Sequence, residues 1–134
     1  MPIKWKNEYT LGIKTIDMQH KKFVSILSNL NDSLHKLEPK ALDEAISKLK
    51  EYSKYHIEAE NKLFEKLDYP DKKIHIEEHK KFLKYIDDLK DKLSKSNNIQ
   101  TSIDLIDYLE DWMISHEQNM DKKYVPFFIK NGVI

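Results

Sequence analysis

The sequence contains no cysteine, which excludes disulfides, thiolate metal ligands and a cysteine nucleophile. Any bound metal would have to be held by imidazole and carboxylate. Glycine occurs twice and proline four times in 134 residues, too rarely for an architecture of strands and tight turns. Neither sign of charge is in excess, with 23 Lys plus Arg against 23 Asp plus Glu, and no block of like charge forms a tail. The electrostatic case for nucleic acid or an anionic membrane surface is therefore missing, and neither is expected as a partner. No apolar run approaches the ~18 residues that cross a bilayer, and the opening MPIKWKNEYT lacks a signal-peptide core, so a cytoplasmic location is expected. What the chain does have is charge, at 34% of residues, spread as in long solvated helices. An all-α chain of this length is expected to form one domain with one site.

Residues 1–16 lack helical periodicity and carry Pro2 and Gly12, and Trp5, Tyr9, Leu11, Ile13 and Ile16 make them an arm expected to lie across the helices. The spacing predicts helices over about 17–37, 41–67, 71–94 and 99–124. The first opens on Asp17 as N-cap, with Phe23, Ile26, Leu27, Leu30, Leu34 and Leu37 on one stripe and His20 in its first turn. Glu38-Pro39-Lys40 breaks the chain. The second helix puts Leu42, Ile46, Leu49, His56, Glu60, Leu63 and Leu67 on one face, and Asp68-Tyr69-Pro70-Asp71 reverses direction. The third presents His75, His79, Phe82, Ile86, Leu89 and Leu93. After the polar break Ser94 to Asn98, the fourth carries Ile99, Ile103, Ile106, Leu109, Met113, His116 and Met120, and ends before Pro126; Asn131-Gly132 reads as a final turn.

Four amphipathic helices with short connections imply an up-down-up-down antiparallel four-helix bundle. In that topology the start of the first helix, the end of the second, the start of the third and the end of the fourth share one end. His20, His56 with Glu60, His75 with His79, and His116 with Asp121 then fall at a common level. His35 has no partner at helical spacing and reads as an ordinary helical histidine. Five of the six histidines at one level, with two carboxylates on the same stripes, would be costly in an apolar interior unless coordinated. Seven ligands are too many for one zinc and point to two ions bridged by the carboxylates. Two six-coordinate ions offer about twelve positions, and this ligand set with one shared oxygen leaves roughly one open. That position suits a small diatomic ligand, and the bridging favours iron or manganese, with zinc left open by geometry alone.

The residues Trp5, Gly12, the run Ile16-Asp17-Met18-Gln19-His20, the HxxxE of His56 and Glu60, the HxxxH of His75 and His79, and the HxxxxD of His116 and Asp121 followed by Tyr124 resemble the hemerythrin family, in particular the stand-alone bacteriohemerythrins. The resemblance implies a non-haem di-iron centre that binds dioxygen reversibly. One iron would be held by His75, His79 and His116, the other by His20 and His56, with Glu60, Asp121 and a hydroxide or oxo group bridging. Dioxygen would be taken up on the side served by two imidazoles.

Two positions near the expected pocket depart from the family pattern. Ile57 stands where an aromatic is usual, and Glu117 where an aliphatic is usual. Glu117 would add a polar group to a pocket that works partly by excluding water, if it faces inward. Trp112, Met113 and Phe23 are the expected apolar wall. Oxygen binding for storage, delivery or sensing, without catalysis, is the leading expectation. A di-iron redox enzyme acting on oxygen, peroxide or nitric oxide is the runner-up, since ferritin-like oxidases are richer in carboxylate and use paired Glu-x-x-His motifs. A signalling module and a metal-free helical adaptor rank lower. No feature identifies a protein partner, and a monomer or weak oligomer is expected.

Overall fold

Residues 3–35, 39–95 and 99–133 are described by a computed structural model, in which the side chains of 35 and 39–41 are left out. Pro2, Leu37, Glu38, the 96–98 part of the second break and the side chain of His35 lie outside the described residues. Five α-helices account for most of the rest: α1 Lys14–His35, α2 Pro39–Leu67, α3 Lys72–Lys95, α4 Ile99–His116 and α5 Lys122–Lys130. A π turn, Glu117–Asp121, joins α4 to α5, and a short 3-10 turn, Asn7–Tyr9, lies in the arm. Helices α1 to α4 form the bundle, α1 packing on α2 and α4, and α3 on α2 and α4.

Each helix buries one stripe because its apolar residues recur at three and four. On α3 the buried set is His75, His79, Phe82, Ile86, Leu89 and Leu93, the face read from the sequence. On α2 the stripe is rotated slightly: Phe64 is fully buried, while Leu63 and Leu67 are only partly so. Ile99 is 47% exposed, contrary to its place on the predicted stripe. The interior forms two apolar clusters. The larger includes Phe23, Leu27, Leu49, Phe82, Ile86 and Leu109. The smaller holds Ile13, Ile16, Phe64, Tyr69, Tyr124 and Phe128.

The first helix starts a turn earlier than its predicted cap. Gly12 turns the chain at φ +96°, a conformation that favours glycine, and the Asp17 N–H already donates to Ile13 O at 2.8 Å. Asp17 is therefore inside α1. Its carboxylate reaches back to accept from the N–H groups of Leu11 at 2.8 Å and Gly12 at 3.1 Å, tying down the arm near the positive end of the helix dipole. The arm's rings pack as expected: Trp5 meets Tyr9 edge-on at 5.6 Å, and the Lys21 ammonium lies 5.5 Å over Trp5. Helix α2 opens on Pro39 rather than Ala41, since a first-turn proline lacks an N–H that would have had no partner. The chain does not stop before Pro126, which lies inside α5. The backbone bond lost there is offset by burial of Tyr124 and Phe128, both fully enclosed.

One buried carboxyl sits away from the histidines. Glu110, beside Leu109 on α4, is buried, and burial pushes it up to about 7 against a lowering hydrogen bond from Asn31. The unfolded chain releases this proton near its ordinary value of 4.5, whereas the native state keeps it to about 7. Stability should therefore fall by about 1.4 kcal/mol per pH unit across that window and level off above it. Glu110→Gln is expected to remove this slope, measured as urea midpoints at about pH 5 and about pH 8. An unchanged slope would show that Glu110 does not cause it.

Candidate metal centre

Four helices and the π turn deliver the seven sequence-predicted residues to one level. His56 and Glu60 on α2, and His75 and His79 on α3, are four residues apart and share a helical face. His116 and Asp121 are five apart, which in a regular α-helix would separate their directions by about 140°. The π turn removes that separation by inserting one extra residue. It also overturns the predicted stripe through Met120. Beyond His116 the buried positions are Glu117, Asp121, Tyr124 and Phe128, and Met120 is only partly buried.

The ring nitrogens and carboxylate oxygens converge in two groups, His75, His79, His116 and Asp121, and His20, His56, Glu60 and Asp121, each with its ligand atoms within 4.8 Å of one another. Each carboxylate reaches imidazoles of both groups. Asp121 Oδ1 lies 2.8 Å from His75 Nε2 and 3.1 Å from His116 Nε2, while Oδ2 lies 3.1 Å from His20 Nε2. Glu60 Oε1 is 3.1 Å from both His56 Nε2 and His79 Nε2. Burial pushes both carboxyls up, but the surrounding histidines outweigh it and hold them well below the usual carboxylate range. Burial lowers His79, whereas at His56 and His116 the carboxylates outweigh burial and raise the imidazole.

Proximity does not produce hydrogen bonds here. Both oxygens of Glu60 and Asp121, both ring nitrogens of His20 and His116, and the Nε2 atoms of His75 and His79 are buried without a hydrogen-bond partner. Such groups are costly alone, and a donor set of imidazoles and carboxylates aimed at shared points suits a cation. The residues therefore fit a metal. The far sides of two rings are tied off. His56 Nδ1 lies 2.5 Å from Gln19 Oε1 and His79 Nδ1 3.0 Å from Asn61 Oδ1, and in the neutral ring an Nδ1–H donated to the amide oxygen leaves Nε2 free toward the centre. Sequence reasoning gave neither residue a role. Both adjoin a ligand in the chain but act on a histidine of another helix, so the sole signal was that adjacency. Replacing Gln19 or Asn61 by leucine is expected to weaken metal binding about 10- to 100-fold, read by competition with a chelator. Unchanged affinity would deny them this role.

A cavity of about 20 Å³ adjoins the cluster, lined by His56, His79, His116 and Asp121 and walled by Phe23, Ile57, Phe82, Trp112 and Met113. It has room for one water-sized molecule. Glu117 also lines it, at 2% exposure, with both oxygens unpartnered and Oε2 3.8 Å from His20 Nδ1. Four residues after the buried Met113, this side chain continues the inward face of α4. Burial, then Asp121 and Glu60, push its carboxyl up to about 9. On the other side of the cluster, Tyr124 stacks on His75 at 5.6 Å and Phe64 tilts against the same ring at 4.7 Å.

Residues 11–128 match the hemerythrin HHE cation binding domain family. The chain is 27% identical over 121 residues to a bacteriohemerythrin of Pseudomonas aeruginosa, covering 90% of this chain and 78% of that one. A bacteriohemerythrin of Clostridium acetobutylicum is 25% identical over 125 residues, covering 90% and 97%. A crystal structure of a leucine-to-phenylalanine mutant superposes with a TM-score of 0.82 at 23% identity, covering 94% and 97%, and speaks to the fold alone. Family and cluster together suggest a non-haem di-iron site. Among the described residues no helix is long and apolar enough to cross a membrane.

Proposed function

Since the chain belongs to the hemerythrin family, we propose that residues 1–134 act as one hemerythrin-like domain that binds dioxygen reversibly, for storage, delivery or sensing. In this reading His75, His79 and His116 would hold one iron, His20 and His56 the other, and Glu60 and Asp121 would serve both. The observation that carries it is the double reach of the carboxylates, each within 3.1 Å of imidazoles from both groups. When bound, the iron pair would supply the two electrons that a small ligand such as dioxygen takes up. The protein's part is to fix the imidazoles through Gln19 and Asn61, and to enclose the small ligand between Phe23, Ile57, Phe82, Trp112 and Met113. No residue of this set is asked to break a substrate bond.

One observation favours a second reading, a di-iron redox enzyme acting on oxygen, peroxide or nitric oxide: the cavity wall includes the carboxyl of Glu117. Anaerobic reconstitution with ferrous iron separates the two. A charge-transfer band that appears with oxygen and disappears under argon, at two irons per chain, is expected for reversible binding. A band that forms once and decays to a stable oxidised species would overturn the carrier reading in favour of redox chemistry.

A further inference from the structure

Aromatic rings lead away from the ligand cluster in three directions, and one of them ends on a well-exposed phenol. Behind His75 stacks Tyr124, followed by Tyr69 at 6.5 Å and Phe127 at 5.2 Å beyond it; Tyr69 is buried and Phe127 has no phenol. Behind His116 stacks Trp112 at 5.0 Å, a half-buried indole with no phenol, and its next neighbour is the buried Phe82 at 4.6 Å. The third direction is different. Phe23 stands edge-on to His56 at 5.1 Å, Tyr52 edge-on to Phe23 at 4.9 Å, and Tyr55 lies 5.8 Å past Tyr52 with 59% of its surface exposed. The spacings are those of rings in contact.

This line of rings is also held in place. The Tyr52 hydroxyl donates to the main-chain carbonyl of Gln19 at 3.1 Å, and the side chain of the same Gln19 contacts His56 Nδ1. Burial, then Tyr55, push the Tyr52 phenol up to about 12. A carbonyl accepts a hydrogen bond but cannot take the proton, so Tyr52 keeps it. Tyr55 has water to receive its own.

We propose that Phe23, Tyr52 and Tyr55 form an electron route by which oxidising equivalents leave the metal centre for the protein surface at Tyr55. The proposal rests on the iron-binding reading above. The oxidant is a peroxide. Reducing one hydrogen peroxide to two waters takes two electrons and two protons, and with the iron pair already oxidised these come from the Tyr55 rings of two chains. At the centre that holds the peroxide, Tyr55 of the same chain gives the first electron inward through Tyr52 and Phe23 and its proton to solvent. The phenoxyl radical then takes a hydrogen atom from Tyr55 of a second chain. The restored phenol gives the second electron by the same route and a second proton to solvent. The two tyrosyl radicals then couple carbon to carbon. In sum, one peroxide and two tyrosines yield two waters and one dityrosine.

The test treats oxidised, iron-loaded protein, cleared of free iron, with hydrogen peroxide. Iron per chain, covalent dimer, dityrosine fluorescence and a peptide map are read together. A cross-link between two copies of Tyr55 is expected in loaded protein and not in metal-free protein treated alike. Tyr55→Phe should abolish it. Tyr52→Leu should lose most of it at an unchanged iron count, while still cross-linking under a photo-generated one-electron oxidant in solution, which reaches Tyr55 directly. Equal cross-linking without metal, or oxidation at Trp112 or His56 with Tyr55 intact, would overturn the route while leaving iron binding standing. Protein that takes up no iron would overturn the iron reading and the route with it.

Discussion

Stripping the metal from this protein is expected to lower its melting temperature by on the order of 10 °C, and Asp121→Asn is expected to reproduce the loss without a chelator. A ligand that binds only the native state adds about 4 kcal/mol at a thousand times its dissociation constant. For a domain of this size each kcal/mol is worth a few degrees. The buried, unpartnered atoms of His20, Glu60, His75, His79, His116 and Asp121 give the effect its origin, since without a cation they have given up water for nothing. Asp121 is the right residue to change because its two oxygens face three imidazoles drawn from both groups. Asparagine keeps its shape and removes one negative charge. Thermal melts with and without chelator, alongside an iron count, decide it. A chelated protein that melts where the loaded one does would show that the cluster needs no metal, and would remove the basis of the iron-binding reading.

On the proposed oxygen-binding reading, Glu117→Ile is expected to slow the conversion of the oxygenated protein to its oxidised, oxygen-silent form by about tenfold, which corresponds to ~1.4 kcal/mol of barrier. Apart from the candidate ligands, the cavity wall is apolar except at Glu117. A buried carboxyl with neither oxygen partnered gives a stray water somewhere to bind, and water in the cavity supplies the protons that a dry one withholds. Isoleucine would leave such a water without that anchor. The same change relieves an unsatisfied buried group, so the melting point should rise by the equivalent of about 1–3 kcal/mol. Decay of the oxygenated spectrum in air, followed for both proteins at equal iron content, is the measurement. If the rates agree, the carboxyl does not set the lifetime of the oxygenated protein.

The histidine spacings and the bundle were legible in the chain because each follows from one helix read alone. On α3 the periodic stripe and the buried set agree residue for residue. Features that depend on a neighbouring helix were not legible: Gln19 and Asn61 act on histidines 37 and 18 residues away. The reading also carried α4 straight through Met120, although the five-residue step from His116 to Asp121, with Tyr124 and Phe128 following in the new phase, already marked the slip. Glu117 was left undecided because helix phase was uncertain there; four residues after the buried Met113, it continues the inward face of α4. Asp17 looked like a cap because its residue type favours one, but the turn at Gly12 let the helix begin earlier.

The π turn gives the segment after His116 slack in length as well as in composition. Asn119 is exposed, and its identity bears on neither the cluster nor the core. Deleting one residue between 117 and 120 would leave His116 and Asp121 four apart, a spacing that a continuous α-helix already brings to one face. Asp121 would stay with both histidine groups, and Tyr124 and Phe128 with the smaller apolar cluster. A second deletion would have no extra residue to draw on and would rotate everything beyond it by about 100°. In a lineage of such sequences, point substitutions and single deletions could accumulate here while double deletions were purged.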